Sequence, residues 1–139
     1  MRFARSVDAD RDAGRGTAQT LAEVWISCSR CPAFAAFVTL YGVPGGFEVV
    51  RRSFTSTLTQ PLAAEAAERV RAAIYTESGA AAALFAVDPE LVPCYCPDCG
   101  FSYCGDHWET WLAYDDDIPH WIDSIRGRCP EGHERMLED

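Results

Sequence analysis

Bulky apolar residues are sparse up to Thr17, where Phe3 and Val7 stand in a polar, charged stretch. Such a segment can bury little surface, so residues 1–17 are expected to form a flexible arm. The pattern changes at Leu21-Ala22-Glu23-Val24-Trp25-Ile26, where ordered structure is expected to begin. Phe34 to Tyr41 is an apolar run, closed by the turn signal Gly42-Val43-Pro44-Gly45-Gly46. Phe47 to Thr55 is β-branched and aromatic and predicts a strand, so the two runs together predict a hairpin. Pro32, placed as a first helical residue would be, leaves a helix open for Phe34–Leu40.

Pro61 to Thr76 carries the clearest helical period, with Leu62, Ala66, Val70, Ala73 and Ile74 on one face. Ser78-Gly79 ends it. Ala80 to Val87 is short and uniformly apolar and predicts a buried strand, turned by Asp88-Pro89. Trp108, Trp111 and Tyr114 recur at one-turn spacing and predict a short helix, while Trp121 to Ile125 alternates as a strand does. The fold class expected is α+β: one domain over residues 18–139, with a ββαβ unit inserted at 34–92.

A length of 139 residues fits one such domain, and a hydrophobic fraction of 48% allows a real core. The net charge of −9 argues against nucleic acid as the main partner, because phosphate binding needs clustered Lys and Arg. A local patch around Arg51, Arg52, Arg69 and Arg71 is what such binding would have to use. No apolar run approaches the roughly 18 residues of a membrane span. The first residues lack the apolar stretch of an export signal, so a cytoplasmic setting is expected. There, seven cysteines point to metal or catalysis before disulfides.

The cysteines and histidines fall into four pairs: Cys28/Cys31, Cys96/Cys99, Cys104/His107 and Cys129/His133. Cys96-Pro97-Asp98-Cys99-Gly100 has the form of a tight turn whose thiolates bite one metal, with Gly100 permitting the backbone angle that follows. Four pairs supply two tetrahedral Zn²⁺ sites of the Cys₃His type. The second and third pairs are close enough to share one ion in a compact knuckle. The preferred assignment is interleaved, with Cys28, Cys31, Cys104 and His107 on one ion and Cys96, Cys99, Cys129 and His133 on the other. Cys94 is read as a buried thiol, since Cys96 has the better turn. His120 is read as an ordinary surface or core histidine.

Cys96-x-x-Cys99-x-x-x-x-Cys104-x-x-His107-Trp108 resembles the middle of cross-braced RING-like zinc modules, especially the in-between-RING and ZZ types. The resemblance covers residues 94–133 plus Cys28/Cys31, and implies a treble-clef-like metal core and protein partners. The separation of Cys31 from Cys96 by 64 residues departs from it, as does the Cys-x-x-x-His ending. Ubiquitin-ligase activity does not carry over.

Enzymatic alternatives find weaker motifs. His107-Trp108-Glu109 lacks the Pro-Cys-x-x-Cys that a zinc deaminase needs downstream. No His-Glu-x-x-His exists for a zinc protease. Cys28-x-x-Cys31 could serve thiol redox chemistry, but the matching pairs elsewhere favour metal. The expectation is a structural two-zinc protein acting as an interaction or adaptor module, with Trp25, Trp108, Trp111 and Trp121 packed around the metals or, where exposed, anchoring a partner. The rival is a zinc- or thiol-dependent enzyme of a bacterial modification or biosynthetic pathway. Asp115-Asp116-Asp117 reads as a solvated turn, with a basic partner as its sharper alternative.

Overall fold

A computed structural model describes residues 18–118 and 120–139 of the chain, so the expected arm over 1–17 lies outside the described residues. The long interval around the first ligand pair is organised as an antiparallel meander, β1 (Gln19–Ser27), β2 (Phe34–Val43), β3 (Gly46–Ser53) and β4 (Thr57–Leu62), in spatial order β1-β2-β3-β4. The hairpin expected from Phe34 onward is β2–β3, and Phe34–Leu40 is strand throughout. Its turn is Pro44-Gly45 between the paired Val43 and Gly46, with Gly45 at φ 86°. Proline fixes the first turn angle and glycine supplies the positive one.

β2 is one of the two interior strands and is buried from Ala35 to Tyr41. A strand covered on both faces reads as a continuous apolar run, which is the pattern its sequence has. One face carries the rows Ala22–Leu40–Val49 and Val24–Val38–Arg51. Against it pack Ala67, Val70, Ala73 and Ile74 of α1 (Ala64–Ile74), in one apolar core with Leu40 and Val49. Burying an aliphatic side chain of this size contributes roughly 1.5–3 kcal/mol. Leu62 belongs to β4 and not to the helix, which starts later than its periodicity predicts.

Several expected elements are different. Ala80–Val87 is a helix, α2, so residues 34–92 hold the three strands β2–β4 followed by two helices and not ββαβ. An all-apolar stretch has no period to read, and its alanines favour helix over strand. The helix expected after His107 is strand β7 (Glu109–Tyr114), paired with β8 (Ile122–Arg128), which pairs in turn with β9 (Glu134–Glu138). Trp108 is buried just before β7, and Trp111 lies on the strand. Their three-residue spacing is therefore not a helical turn. β4 and β9 have no counterpart among the elements expected from the sequence. A two-stranded pair, β5 (Tyr95–Cys96) with β6 (Phe101–Ser102), completes the fold.

The end of the chain is fastened to the first sheet through Arg51. That side chain is 1% exposed, so it is not part of a surface patch for phosphates. Its Nε donates to the Glu90 carbonyl at 3.1 Å, Nη1 to the Ser56 carbonyl at 2.8 Å and Nη2 to Glu138 Oε1 at 3.2 Å. Ser56 Oγ donates to the same carboxylate oxygen. Burial opposes ionisation of Glu138, but the Ser56 hydroxyl and the Arg51 guanidinium prevail and hold its pKa below the ordinary value.

Replacing Glu138 with Gln leaves Arg51 buried without its counter-charge and should destabilise the protein by about 1–3 kcal/mol at neutral pH, measured by urea unfolding. A carboxylate with a lowered folded pKa stabilises fully above its unfolded value of 4.5 and loses that contribution as pH falls through the folded one. The stability gap between Glu138→Gln and the parent should therefore narrow only on acidification below 4.5.

Candidate metal centres

Each of the four ligand pairs sits in a tight connection between strands. Cys28/Cys31 occupies the β1–β2 link, where the Cys28 amide donates to the Ala33 carbonyl at 2.9 Å. Cys96/Cys99 lies in the β5–β6 turn, closed by the Gly100 amide on the Cys96 carbonyl at 2.8 Å, with Gly100 at φ 75°. Cys104/His107 forms one turn before β7, with the His107 amide on the Cys104 carbonyl at 2.9 Å. Cys129/His133 makes the β8–β9 turn, where Gly132 adopts φ 93° and its amide reaches the Cys129 carbonyl at 2.9 Å. Only glycine takes these two positive angles without strain.

These turns converge on two groups. Cys28, Cys31, Cys104 and His107 form one; Cys96, Cys99, Cys129 and His133 form the other, with the donor atoms of each group within 4.8 Å of one another. The first pair therefore meets the third and the second meets the fourth, the interleaved arrangement. In the first group Cys31 and Cys104 Sγ are 3.6 Å apart, and His107 Nδ1 lies 3.5 Å from Cys28 Sγ and 3.3 Å from Cys104 Sγ. In the second, Cys99 and Cys129 Sγ are 3.6 Å apart, and His133 Nδ1 lies 3.7, 3.2 and 3.4 Å from Cys96, Cys99 and Cys129. A disulfide would bring sulfurs to about 2.05 Å, and all seven cysteines are free thiols. Donors on a tetrahedron with metal–sulfur bonds of about 2.3 Å and metal–nitrogen bonds of about 2.0–2.1 Å lie roughly 3.5–3.8 Å apart. Both groups have nearly those edges, so each could hold a metal ion.

Residues 19–139 match the profile of a family described as a domain of unknown function, DUF8328. The chain belongs to that family. No curated protein and no solved structure matches it.

In this DUF8328 domain each group has two buried thiols and two half-buried donors. One thiol of each is prepared for deprotonation. Burial works against the Cys28 thiolate, but the backbone amides of Cys104, Arg30 and Cys31 outweigh it and bring the pKa down to about 6. The amide of Arg30 lies 3.4 Å from that sulfur. Cys129 follows the same logic: burial opposes, the amides of His133 and Glu131 prevail, and its pKa falls to about 7. Burial instead pushes Cys96 up to about 11 and raises Cys104. A metal must draw those protons off, which couples binding to pH.

Cys94 stands apart from both groups. It is fully buried, and burial pushes its thiol up to about 12. Its carbonyl accepts from Trp108 Nε1 at 3.1 Å. It is a buried thiol outside both groups, the reading made from the sequence. His120 is exposed and also belongs to neither group.

Between the two groups runs a cleft of about 470 Å³, lined by Ser29, Arg30, Phe101, Tyr103, Glu131 and His133 among others. Ser29 closes one side, its amide and hydroxyl both donating to the Ser102 carbonyl. Arg30 and Glu131 form an ion pair that joins the loops of the first and last ligand pairs. Pair spacing identifies ligands, and it carries no signal for a contact between side chains 101 residues apart.

Cys94→Ala should retain both metal equivalents, whereas Cys96→Ala should lose one and shift the remaining spectrum of a Co²⁺-substituted sample. Metal counting by native mass spectrometry distinguishes the two outcomes.

Proposed function

We propose that the two groups hold structural Zn²⁺ ions and that the domain is a protein-interaction module assembled around them. The observation that carries this reading is the donor geometry: three sulfurs and one imidazole nitrogen per group, within 4.8 Å of one another and at several separations close to the edge length of a tetrahedron around one ion. Sulfur-rich sets with tetrahedral spacing select zinc among the common divalent ions. Four protein donors fill the coordination shell. A catalytic zinc keeps a position for water, so the same count argues against metal-dependent hydrolysis or deamination.

The interleaving of pairs one and three with pairs two and four supports a cross-braced, RING-like arrangement as the family of metal modules this domain resembles. Such modules work as platforms for other proteins, and the platform role proposed here follows that resemblance. The composition agrees with it, since an acidic surface discourages phosphate backbones and leaves proteins as the natural partners.

Purified protein should contain two zinc ions per chain by elemental analysis. Strong chelation should abolish near-UV circular dichroism from the buried Trp108 and Tyr103 environment, with recovery on Zn²⁺ return, because metal-site free energy is folding free energy here. A chain that keeps its native signal after both ions are stripped would refute the structural role.

A further inference from the structure

The β7–β8 hairpin concentrates the exposed apolar surface of the second half of the chain. Leu112, Tyr114, Ile118, Trp121 and Ile122 are each 45–65% exposed. Leu112 pairs directly with Ile125, and Tyr114 with Ile122 one step further out. The apolar rows thus run along the hairpin toward its tip. At the base they enter a groove of about 240 Å³ between β7 and the β3–β4 turn, lined by Phe54, Thr55, Thr110, Trp111, Leu112 and Ile125. β7 has β8 on one side and no strand on its other side among the described residues. An unpaired edge bordered by apolar side chains is a template for an extended segment.

Charge decides what that segment is. Residues 109–125 contain Glu109, Asp115, Asp116, Asp117 and Asp123 and no Lys or Arg. Glu109 is engaged by Arg128, and Asp115 Oδ1 accepts from the amides of Asp117 and Ile118 at 2.7 and 3.0 Å. Asp116, Asp117 and Asp123 remain exposed beside the apolar rows. A second copy of this chain would bring one acidic tip against another at −9 per chain. An anionic bilayer or a phosphate backbone meets the same repulsion. A basic polypeptide meets attraction.

We propose that the β7 edge and the hairpin tip dock an extended segment of another protein that carries arginine or lysine beside aliphatic or aromatic residues. The apolar rows and Phe54 take the non-polar side chains, and the exposed aspartates take the cations. This rests on the interaction-module reading above and names the surface and partner chemistry of that role. Exposed charges of this kind act over about 8–10 Å at physiological salt, so binding weakens as ionic strength rises.

The probes are dye-labelled peptides alternating Arg with Val, Glu with Val, and Arg with Ser, titrated into the zinc-loaded full chain by fluorescence anisotropy. Amide chemical-shift mapping on ¹⁵N-labelled protein locates the site. The Arg–Val peptide should bind and shift residues 111–125, while the other two bind weakly or not at all. Asp116→Lys, Asp117→Lys and Asp123→Lys together should weaken it by about tenfold or more, and Trp121→Ser should also weaken it, both with zinc content and circular dichroism unchanged. Glu68→Lys on the exposed face of α1 should change little. Shifts confined to Ser29–Cys31 and Glu131–His133 would overturn the hairpin assignment while leaving the interaction reading standing. So would equal binding of Glu–Val and Arg–Val, dimerisation or phosphatidylserine-vesicle binding blocked by Trp121→Ser, or no binding by a chain that retains both ions, the last without touching the metal reading.

Discussion

Each Cys₃His group takes half of its donors from one part of the chain and half from a distant part, and the architecture depends on that division. Cys28 and Cys31 hang from the end of the first sheet; Cys104 and His107 belong to the middle segment. Cys96 and Cys99, in the same middle segment, face the opposite group, where Cys129 and His133 arrive from the β8–β9 turn. An ion in each group would hold the middle segment from both sides. Without an ion, three sulfurs at these distances repel one another as they ionise. With one, the same donors fasten the sheet, the middle and the end together.

The need for such fastening is visible in the strand lengths. β5 and β6 are two residues each, too short to hold a register alone. β7–β9 bury few side chains of their own, chiefly Ser124 and Leu137. Leu137 packs so tightly against Gly127 that a Cβ there would stand 2.6 Å from its Cδ1 and 3.0 Å from the Trp108 ring. The first sheet, by contrast, has a full apolar face and two helices over it. An ion in each group would therefore supply the constraint that core supplies elsewhere, where core is thin, as small domains require.

The sequence makes the two donor groups legible because thiolate and imidazole pairs suited to one ion obey a spacing set by one turn. Cys28 to Cys31 and Cys104 to His107 can be recognised without knowing what lies between. The β2–β3 hairpin was legible for a similar reason: Pro44-Gly45 is a turn by its own dihedral limits. Ala80–Val87 was not, because eight apolar residues fit a strand or a helix equally by pattern, and the answer lies in alanine propensity together with packing against α1 and the following segment. Trp108 and Trp111 misled through a spacing that two different environments produce, one ring buried and one on a sheet. β4 contains Pro61, tolerable because the strand lies at an edge, which composition does not reveal. β9 is mostly charged, and Leu137 alone marks its buried side. Both histidines present Nδ1 to the sulfurs of their group, a choice of nitrogen that no residue type encodes.

Four arginines are committed to the interior or to local pairs, which limits how far they offset the acidity of the surface. Arg51 is buried against Glu138 and two carbonyls. Arg135 donates to the Val92, Pro93 and Tyr95 carbonyls and lies over the Phe85 ring, where burial lowers its pKa. Arg128 sits between Glu109 and Glu134 across three strands, and Arg30 spans to Glu131. An arginine paired with a carboxylate beside it contributes little net positive potential at a distance. The carboxylates of the β7–β8 tip have no such neighbours in their own segment. Field and apolar exposure therefore coincide on one hairpin, at the far end of a sheet whose base is anchored by the Cys129–His133 turn. Rigidity at the base and exposure at the tip are what a docking edge needs: an ordered strand to pair with, and side chains that gain by leaving water.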